Sequence, residues 1–432
     1  MVSTSVNKLL TFTFEALGYS VSAEDNGESE LLKDLNISTK SLNGGVNELV
    51  LAYKNSIDDG WIWLFPASTK KPLYLNQPQP FPLATQNIGT ATKLAYTFGL
   101  GGSQTDGKIY IQWKKKSPIE VLSKAATFTD FLFYLKPATR VGDAFAVLGT
   151  DGVVTSLVKF GLNAKQFTLI ETEAAALEKW HGNLPYVDVA QKIDFVNHTD
   201  KGYLISSFNK PKKIKQLETF GKPHLAFLGT MYERSVMRGP LNYAPFWQQI
   251  SNQVQELGGL VNKHASDPTR QELPNKLNLN QLTTLSGLLI DTWQQLDDYP
   301  EVFVAYSHGN LNPSNCYLSA DRFYAFNWEN SNTALPVLFD LFQFHFREDM
   351  LLVGKGDALV RKSIDQAIKL PEAQALIKTF LVEPEQYYLM FLLWRLSADA
   401  LYHAKLFMPN SQSQNLMNVW LKVFDEALKR IQ

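Results

Sequence analysis

The residues whose types are suited to chemistry are concentrated between Tyr306 and Asn330. Two short strands joined by a turn at residues 320–322 are predicted there, because apolar residues flank that turn on both sides. These strands would present one imidazole and three amide side chains near a single point, namely His308, Asn310, Asn315 and Asn327. An amide can orient a hydroxyl group or offer a metal an oxygen, but it has no accessible basic pKa and cannot take up a proton.

A small sheet with one helix is predicted upstream, at residues 126–210. The clearest signal is the sequence Thr150-Asp151-Gly152, because Asp-Gly favours a tight turn between antiparallel strands. A helix should follow from about Lys165 to Trp180, with apolar residues on one face and glutamates among its polar positions. Further strands are predicted at Phe131–Leu135, Val187–Phe195 and Tyr203–Phe208.

Residues 211–432 are predicted to be mostly helical and to surround the polar stretch 306–330. Apolar residues recur there at intervals of three and four, as in Leu285, Leu289 and Leu296, which is typical of helices that pack on a core. The predicted helices are Lys222–Arg238, Phe246–Leu257, Leu279–Leu296, Arg361–Leu370, Glu372–Leu381, Glu385–Lys405 and Ser413–Ile431.

Residues 1–125 are predicted to form an additional α+β region. A helix from Ser5 to Leu17 should end at Gly18, and strands are predicted at Glu48–Tyr53, Trp61–Phe65 and Lys108–Trp113, with a helical run near residues 88–98. This region is expected to be either a separate domain or an extension of the sheet that follows it. No motif in it indicates a function.

Composition excludes several classes of protein. The chain has 432 residues, 45% of them hydrophobic, so it can bury a large core, and its formal net charge of −1 provides no general attraction for nucleic acid or anionic lipid. A single cysteine, Cys316, excludes an internal disulfide framework and a cysteine-rich zinc site. No apolar run reaches the ~20 residues that span a bilayer, and the N-terminus lacks a signal-peptide pattern, so we expect a cytoplasmic protein.

The stretch 306–330 resembles the catalytic segment of the aminoglycoside-phosphotransferase branch of the protein-kinase-like superfamily. The family pattern begins with His-Gly-Asp, which is followed after four residues by Asn. About a dozen residues later it continues with an apolar residue, then Asp, then Trp or Phe, and finally Glu. This chain has His308-Gly-Asn310, then Asn315, then Phe326-Asn-Trp-Glu329. The resemblance implies an α+β, two-lobed kinase-like fold from about 126 to 432, with a small lobe at 126–210 and a mostly helical large lobe at 211–432.

The resemblance also implies roles for residues outside that stretch. Lys159 would contact nucleotide phosphates and be held by Glu173, with Glu171 as the other candidate partner. Without the resemblance, the simplest interpretation is that the lysine and the glutamate are ordinary solvated side chains. Asn315 and Asn327 would lie where the family binds magnesium. Asp340, which follows Pro336, would accept backbone N–H groups of the catalytic loop and brace His308, or else act as a helix N-cap.

Two departures from the pattern predict a degenerate, pseudokinase-like member. Asn310 and Asn327 stand where the family has aspartates that accept the hydroxyl proton and hold magnesium. Loss of a general base alone typically costs ~10²–10⁴ in rate. No glycine-rich phosphate loop precedes Lys159, so ATP and magnesium should bind weakly or not at all. The chain would then act as a binding or scaffold component, retaining a nucleotide or small polar ligand.

Two alternatives stay open. The first is an active ATP- and magnesium-dependent phosphotransferase acting on a hydroxyl of a sugar or amino sugar. In it, Glu329 would supply the missing metal carboxylate. Asn327 and Glu329 are alternate residues, and alternate residues of a strand lie on the same face. The second is a protein that binds a protein partner through residues 1–125.

Overall fold

The computed structural model describes residues 3–19, 21–23, 35–38, 48–55, 62–66, 107–113, 117–136, 143–151, 153–208, 215–266, 279–352, 356–406 and 411–431. The predicted helical run at 88–98 lies outside these ranges. The chain forms two compact units. Unit 1 contains Met1–Asn183, Asp188–Lys215 and Phe326–Glu329, and unit 2 contains Leu184–Val187, Gln216–Ala325 and Asn330–Gln432.

Unit 1 is built on one sheet of ten strands, in the order β1-β2-β5-β3-β4-β6-β7-β8-β11-β10. Among the strand pairs that the described residues of this sheet form, only β1–β2 is parallel. The strands are β1 (Val21–Ala23), β2 (Leu35–Ser38), β3 (Glu48–Asn55), β4 (Ile62–Pro66), β5 (Gly107–Trp113), β6 (Asp130–Lys136), β7 (Asp143–Thr150), β8 (Val153–Gly161), β10 (Lys192–His198) and β11 (Lys201–Ser207), and the short strand β9 (Val187–Asp188) lies between β8 and β10 in the chain.

The sheet runs without a break from the N-terminal region into residues 126–210. β4 pairs with β6 through Ile62–Leu135 and Leu64–Phe133, which joins the two predicted regions directly. Helix α1 (Ser3–Ala16) adds Leu10 and Phe14 to the same buried core, where the rings of Phe14 and Phe133 lie 6.3 Å apart. Helix α2 (Pro118–Ala125), which the sequence did not predict, connects β5 to β6.

The predicted hairpin and the helix that follows it carry the candidate residues of unit 1, Lys159 and Glu173. Thr150 pairs with Val153, so the two-residue connection is Asp151-Gly152, and Asp151 adopts the positive φ of 54° that such turns require. Helix α3 (Ala164–Trp180) begins at Asn163, whose side chain accepts the N–H of Gln166. Gly161 lets α3 approach β8 closely, because a Cβ at this position would lie 2.6 Å from the Cα of Phe167.

Unit 2 is mostly helical, with a sheet β13-β14-β17 and the hairpin β15–β16. The predicted α+β class, with a mostly helical C-terminal part, is confirmed. Its helices are α4 (Lys222–Ser235), α5 (Pro245–Ala265), α6 (Leu279–Leu296), α7 (Phe339–His345), α8 (Glu348–Leu351), α9 (Gly356–Ile368), α10 (Pro371–Thr379), α11 (Pro384–Leu406) and α12 (Ser411–Ile431). Its strands are β13 (Met237–Gly239), β14 (Val302–Ser307), β15 (Cys316–Ser319), β16 (Arg322–Ala325) and β17 (Asn332–Pro336), and the two-residue β12 (Lys215–Gln216) precedes α4.

Some predicted helices differ in their ends, such as α5, which reaches Ala265 instead of Leu257, and three predicted elements differ in type or continuity. The helix predicted at 222–238 ends at Ser235, because Met237–Gly239 pairs with β14 instead. The strand predicted at 187–195 is divided into β9 and β10. Residues 328–330 form a 3₁₀ turn rather than a strand. None of the helices in the described ranges is long and apolar enough to cross a membrane.

Candidate functional site

The first group of candidate residues is the loop between β14 and β15 in unit 2. The carboxylate of Asp340 holds the first residues of this loop through hydrogen bonds to their backbone. Asp340, on α7, accepts the backbone N–H of His308 at 2.7 Å and that of Gly309 at 2.8 Å, one on each oxygen. Its side chain is buried, which raises its pKa to about 6, while the two N–H donors act in the opposite direction. The N-cap of α7 is Leu338, so Asp340 serves the loop rather than its own helix.

Gly309 and His308 are held tightly within this loop. Gly309 has φ +71°, and a Cβ on it would lie 1.9 Å from the carbonyl oxygen of Asn330, so no other residue fits there without a backbone shift. His308 is fully buried. Its Nδ1 lies 3.3 Å from the backbone N–H of Asn310 and accepts it, which places the imidazole proton on Nε2.

The rest of the loop is a network of amide side chains. Asn312 caps the 3₁₀ turn Pro313–Asn315 by accepting the backbone N–H of Ser314 at 2.9 Å. The Nδ2 of Asn312 donates to both oxygens of Asn310, the backbone carbonyl at 3.0 Å and the side-chain Oδ1 at 2.9 Å. Asn315 donates from its own Nδ2 to the same carbonyl at 2.8 Å. The backbone oxygen of Asn310 is thereby fully occupied.

The second group of residues lies in unit 1 and surrounds Lys159 of β8. The Nζ of Lys159 lies 2.5 Å from Oε2 of Glu173, 2.5 Å from Oδ1 of Asn327 and 3.3 Å from Oε2 of Glu329. Glu173, not Glu171, is therefore the partner of this lysine, and Glu171 is exposed. The four residues come from β8, α3 and the segment Phe326–Glu329.

Burial and charge set the protonation of this cluster. Burial lowers the pKa of Lys159, but the carboxylates of Glu173 and Glu329 outweigh it, so the pKa lies above its ordinary value and the ammonium is retained. Burial raises the pKa of Glu173, and the Lys159 ammonium and the backbone N–H of Trp328 oppose that shift. The side chain of Glu173 is 5% exposed and that of Glu329 is 28% exposed, so Glu329 is the partner that solvent or a ligand reaches more easily.

The backbone of the segment Phe326–Glu329 explains how two of its side chains reach one ammonium. Asn327 has φ +67°, a left-handed conformation that asparagine and aspartate tolerate better than other non-glycine residues. The 3₁₀ turn that follows, Trp328–Asn330, places Glu329 beside Lys159. The expectation that Asn327 and Glu329 share a face of a strand was wrong in its geometry, because the segment is not a strand. Trp328 is fully buried and anchors the segment.

The structure therefore brings the predicted residues together in two groups, each within one unit. Lys159, Glu173, Asn327 and Glu329 form one group, and His308, Asn310, Asn315 and Asp340 form the other. Sequence reasoning missed Asn312 and the backbone N–H of Trp328. Asn312 could have been found, because Asn-Pro-Ser is a strong signal for a capped turn.

The residues present fit a magnesium ion poorly. Asn327 and Glu329 both direct an oxygen at the Lys159 ammonium, so a metal bound there would have to displace a charged amine from them. Only one of these two side chains is a carboxylate, whereas magnesium prefers anionic oxygen ligands in octahedral geometry. Within the ranges that the structure describes, no group of three or more His, Cys, Asp or Glu residues is placed to hold a metal ion.

No protein-family model matches the chain, and no curated protein does. Small-molecule kinases are among the solved structures that this chain resembles. A glucosamine kinase is 11% identical, with a TM-score of 0.42, over 74% of this chain and 85% of the other. An ADP-bound aminoglycoside phosphotransferase, APH(2'')-Ib, is 11% identical, with a TM-score of 0.43, over 71% and 98%. A spectinomycin phosphotransferase in complex with ADP and spectinomycin is 13% identical, with a TM-score of 0.38, over 71% and 92%.

Proposed function

We propose that the chain is a degenerate, pseudokinase-like protein that binds the phosphates of a nucleotide, or another small polar anion, through Lys159, and that it does not transfer phosphoryl groups at an ordinary rate. The loss of transfer follows from residue chemistry. Asn310 cannot accept a proton, and Asn327 is uncharged where the family pattern has the aspartate that holds magnesium.

One observation carries the binding part of the proposal: a retained ammonium is surrounded by oxygen atoms, and one of its partners is replaceable. Lys159 pairs with the buried Glu173, which in turn accepts the backbone N–H of the buried Trp328. The Oε2 of Glu329 lies farther from the Nζ of Lys159, at 3.3 Å, and the side chain of Glu329 is more exposed than that of Glu173. A phosphate oxygen can therefore take the place of Glu329 while the Lys159–Glu173 pair stays intact. The two carboxyl groups also disfavour an approaching anion, so the affinity should be modest.

Nucleotide titration with substitutions in the cluster tests this proposal. ATP, ADP and AMP would be titrated with and without magnesium while the melting temperature and the heat of binding are followed. Ligand at about 100 times Kd should stabilise the fold by ~2.7 kcal/mol. We expect Lys159→Met to abolish the shift and Glu329→Gln to tighten magnesium-free binding, because the substitution removes a competing negative charge.

The matched control is Lys108→Met, an exposed lysine of β5 in the same unit. Its nucleotide affinity should equal that of the unchanged protein. Unaltered binding by Lys159→Met would contradict the proposal, and so would a phosphoryl-transfer rate on sugars or amino sugars comparable to that of ordinary small-molecule kinases.

An active phosphotransferase is the second candidate, and the position of Glu329 favours it. A carboxylate does lie next to the Asn327 amide at Lys159, where the family pattern has a metal-binding aspartate. The same substitution separates the two candidates. Glu329→Gln should abolish magnesium-dependent activity if Glu329 supplies the lost carboxylate, whereas the pseudokinase-like proposal expects tighter magnesium-free nucleotide binding.

A further inference from the structure

The orientation of the amide groups in the loop 308–315 is fixed by backbone atoms. The atom of Asn312 that faces the backbone N–H of Ser314 must be an acceptor, and is therefore Oδ1, because a backbone N–H only donates. The hydroxyl of Ser314 also lies 2.5 Å from this oxygen. The other atom, the Nδ2 of Asn312, consequently points at Asn310, where it meets the backbone carbonyl at 3.0 Å.

This orientation determines which end of the Asn310 amide is engaged within the loop. The Nδ2 of Asn312 is a donor, so the atom of Asn310 that it meets at 2.9 Å must be the acceptor Oδ1. The Nδ2 group of Asn310 is left on the opposite side of its amide. Asn310 is partly exposed, and among the described residues no hydrogen bond occupies that Nδ2. Asn310 thus presents two N–H donors where the family pattern presents a carboxylate.

The charge of the loop is also compatible with an anion near Asn310. The loop 308–315 contains no acidic residue. The carboxylate nearest to it in the hydrogen-bond network is that of Asp340, and each of its oxygens accepts a backbone N–H of the loop. Both oxygens of the carboxylate in this network are therefore engaged by the backbone of the loop. An anion that accepts hydrogen bonds from an amide meets neither a general base nor an unpaired carboxylate here.

We propose that Asn310 is a specificity-determining donor that recognises an oxyanion, so that the ligand of this loop carries a phosphate monoester rather than the free hydroxyl of a kinase substrate. The inference rests on the proposed function, which it makes more specific: the protein binds a compound that is already phosphorylated. A hydrogen bond to a charged acceptor is about twice as strong as one to a neutral hydroxyl, which gives the preference its physical basis.

Side-chain amide resonances test the proposal directly. The full-length protein, labelled with ¹⁵N at asparagine, would be titrated with inorganic phosphate, with glucose 6-phosphate and with glucose as the neutral match. The Asn310 NH₂ signals are identified by their loss in Asn310→Asp. We expect them to shift with the two phosphates and not with glucose. A shift with glucose of equal size, or no shift with any of the three at high millimolar concentration, would overturn the proposal.

Two substitutions measure the contribution of the donor to affinity. In Asn310→Asp one carboxylate oxygen still accepts from Asn312, so the loop keeps its structure, while the other oxygen replaces the NH₂ group and repels the phosphate. We expect glucose 6-phosphate affinity to fall by about tenfold or more. Asn312→Ala, which frees the amide of Asn310 to rotate, should lower it less. Asn252→Asp, an exposed substitution in unit 2, is the control and should leave this affinity unchanged.

The outcomes separate this inference from the proposed function. A phosphate-dependent shift of Asn310 that persists in Lys159→Met supports the inference even if nucleotides fail to bind. Nucleotide binding at Lys159 together with equal affinity of Asn310→Asp and the unchanged protein for glucose 6-phosphate would overturn the inference alone.

Discussion

At the scale of single residues, the chemistry of the Lys159 cluster depends on the neutrality of Asn327. Lys159 donates to Glu173, Asn327 and Glu329, and only two of these partners are acidic. The left-handed backbone at Asn327 does not itself require an amide, because aspartate tolerates the same φ of +67°. The amide therefore changes the charge of the cluster without being needed for its shape.

Asn327→Asp should accordingly fold normally and bind nucleotide in a metal-dependent way. The added carboxylate increases the repulsion of a free triphosphate and supplies the anionic oxygen that magnesium prefers. We expect nucleotide affinity to fall at zero magnesium and to rise at about 10 mM magnesium, relative to the unchanged protein. Isothermal titration calorimetry at both concentrations measures this difference. Equal affinity under both conditions would show that Asn327 is not what limits metal binding.

At the scale of secondary-structure elements, two helices next to the loop 308–315 carry buried histidines: α7 holds the loop through Asp340, and the ring of Phe227 on α4 lies 6.5 Å from that of His308. His345 lies at the end of α7 and His224 in the first turn of α4, and the ring of Phe220 lies 4.8 Å from His224 and 5.6 Å from His345. Burial lowers the pKa of His345 to about 4, with a further contribution from Arg347, and lowers that of His224 to about 3, with a contribution from His345.

These pKa shifts predict a loss of stability in mild acid. A histidine whose folded pKa is depressed contributes stability that is fully present above its unfolded pKa of ~6.5 and is lost as the pH falls toward the folded value. The loss per histidine should reach about 2 kcal/mol at pH 5, where the unfolded state is protonated and the folded state is not. His345→Phe removes one titrating group in an aromatic surrounding, so it should lose less stability between pH 7.5 and pH 5.

Urea unfolding at several pH values measures this effect. The exposed Leu359→Gln, which changes no titratable group, is the control and should keep the pH dependence of the unchanged protein. An identical pH dependence for His345→Phe and the unchanged protein would mean that His345 already titrates in the folded state near its ordinary pKa.

Elements whose signals are local could be predicted from the sequence. The helix Leu279–Leu296 was predicted with its observed bounds, because its apolar residues recur at three and four. The Asp151-Gly152 turn was predicted because Asp-Gly favours a tight connection between antiparallel strands. The strand Met237–Gly239 was not, because its pairing with Val302–Val304 joins residues that are far apart in sequence.

In the candidate site, too, the features with a local sequence signal were predicted, and those that depend on contacts between distant residues were not. Spacing and resemblance pointed to Lys159, Glu173 and the two asparagines, but not to the contact between Lys159 and Asn327, which spans 168 residues. The direction in which Asn310 presents its amide depends on the N–H of Ser314 and on Asn312. These hydrogen bonds depend on which atoms lie next to each other in the folded chain. The residue types alone allow both orientations of each amide.

At the scale of the whole molecule, the continuous sheet of unit 1 links the N-terminal region to Lys159. β6 is an interior strand: it pairs with β4 on one side and with β7 on the other, and its residues 131–135 are all buried. Leu10 and Phe14 of α1 share the buried core of Phe133 and Phe160. The predicted boundary at residue 125 therefore crosses a hydrogen-bonded sheet and a shared core.

Removal of residues 1–125 should for this reason produce an aggregating protein. The truncation would convert β6 into an exposed apolar edge, which is a template for intermolecular pairing, and would uncover the core beneath α1. We expect the 126–432 chain to elute as aggregates in size-exclusion chromatography. As a control, a protease site would be inserted between Ala126 and Thr127 in the intact protein. If the sheet is continuous, the two fragments should stay associated after cleavage, whereas a monodisperse, cooperatively unfolding 126–432 chain would establish residues 1–125 as a separate domain.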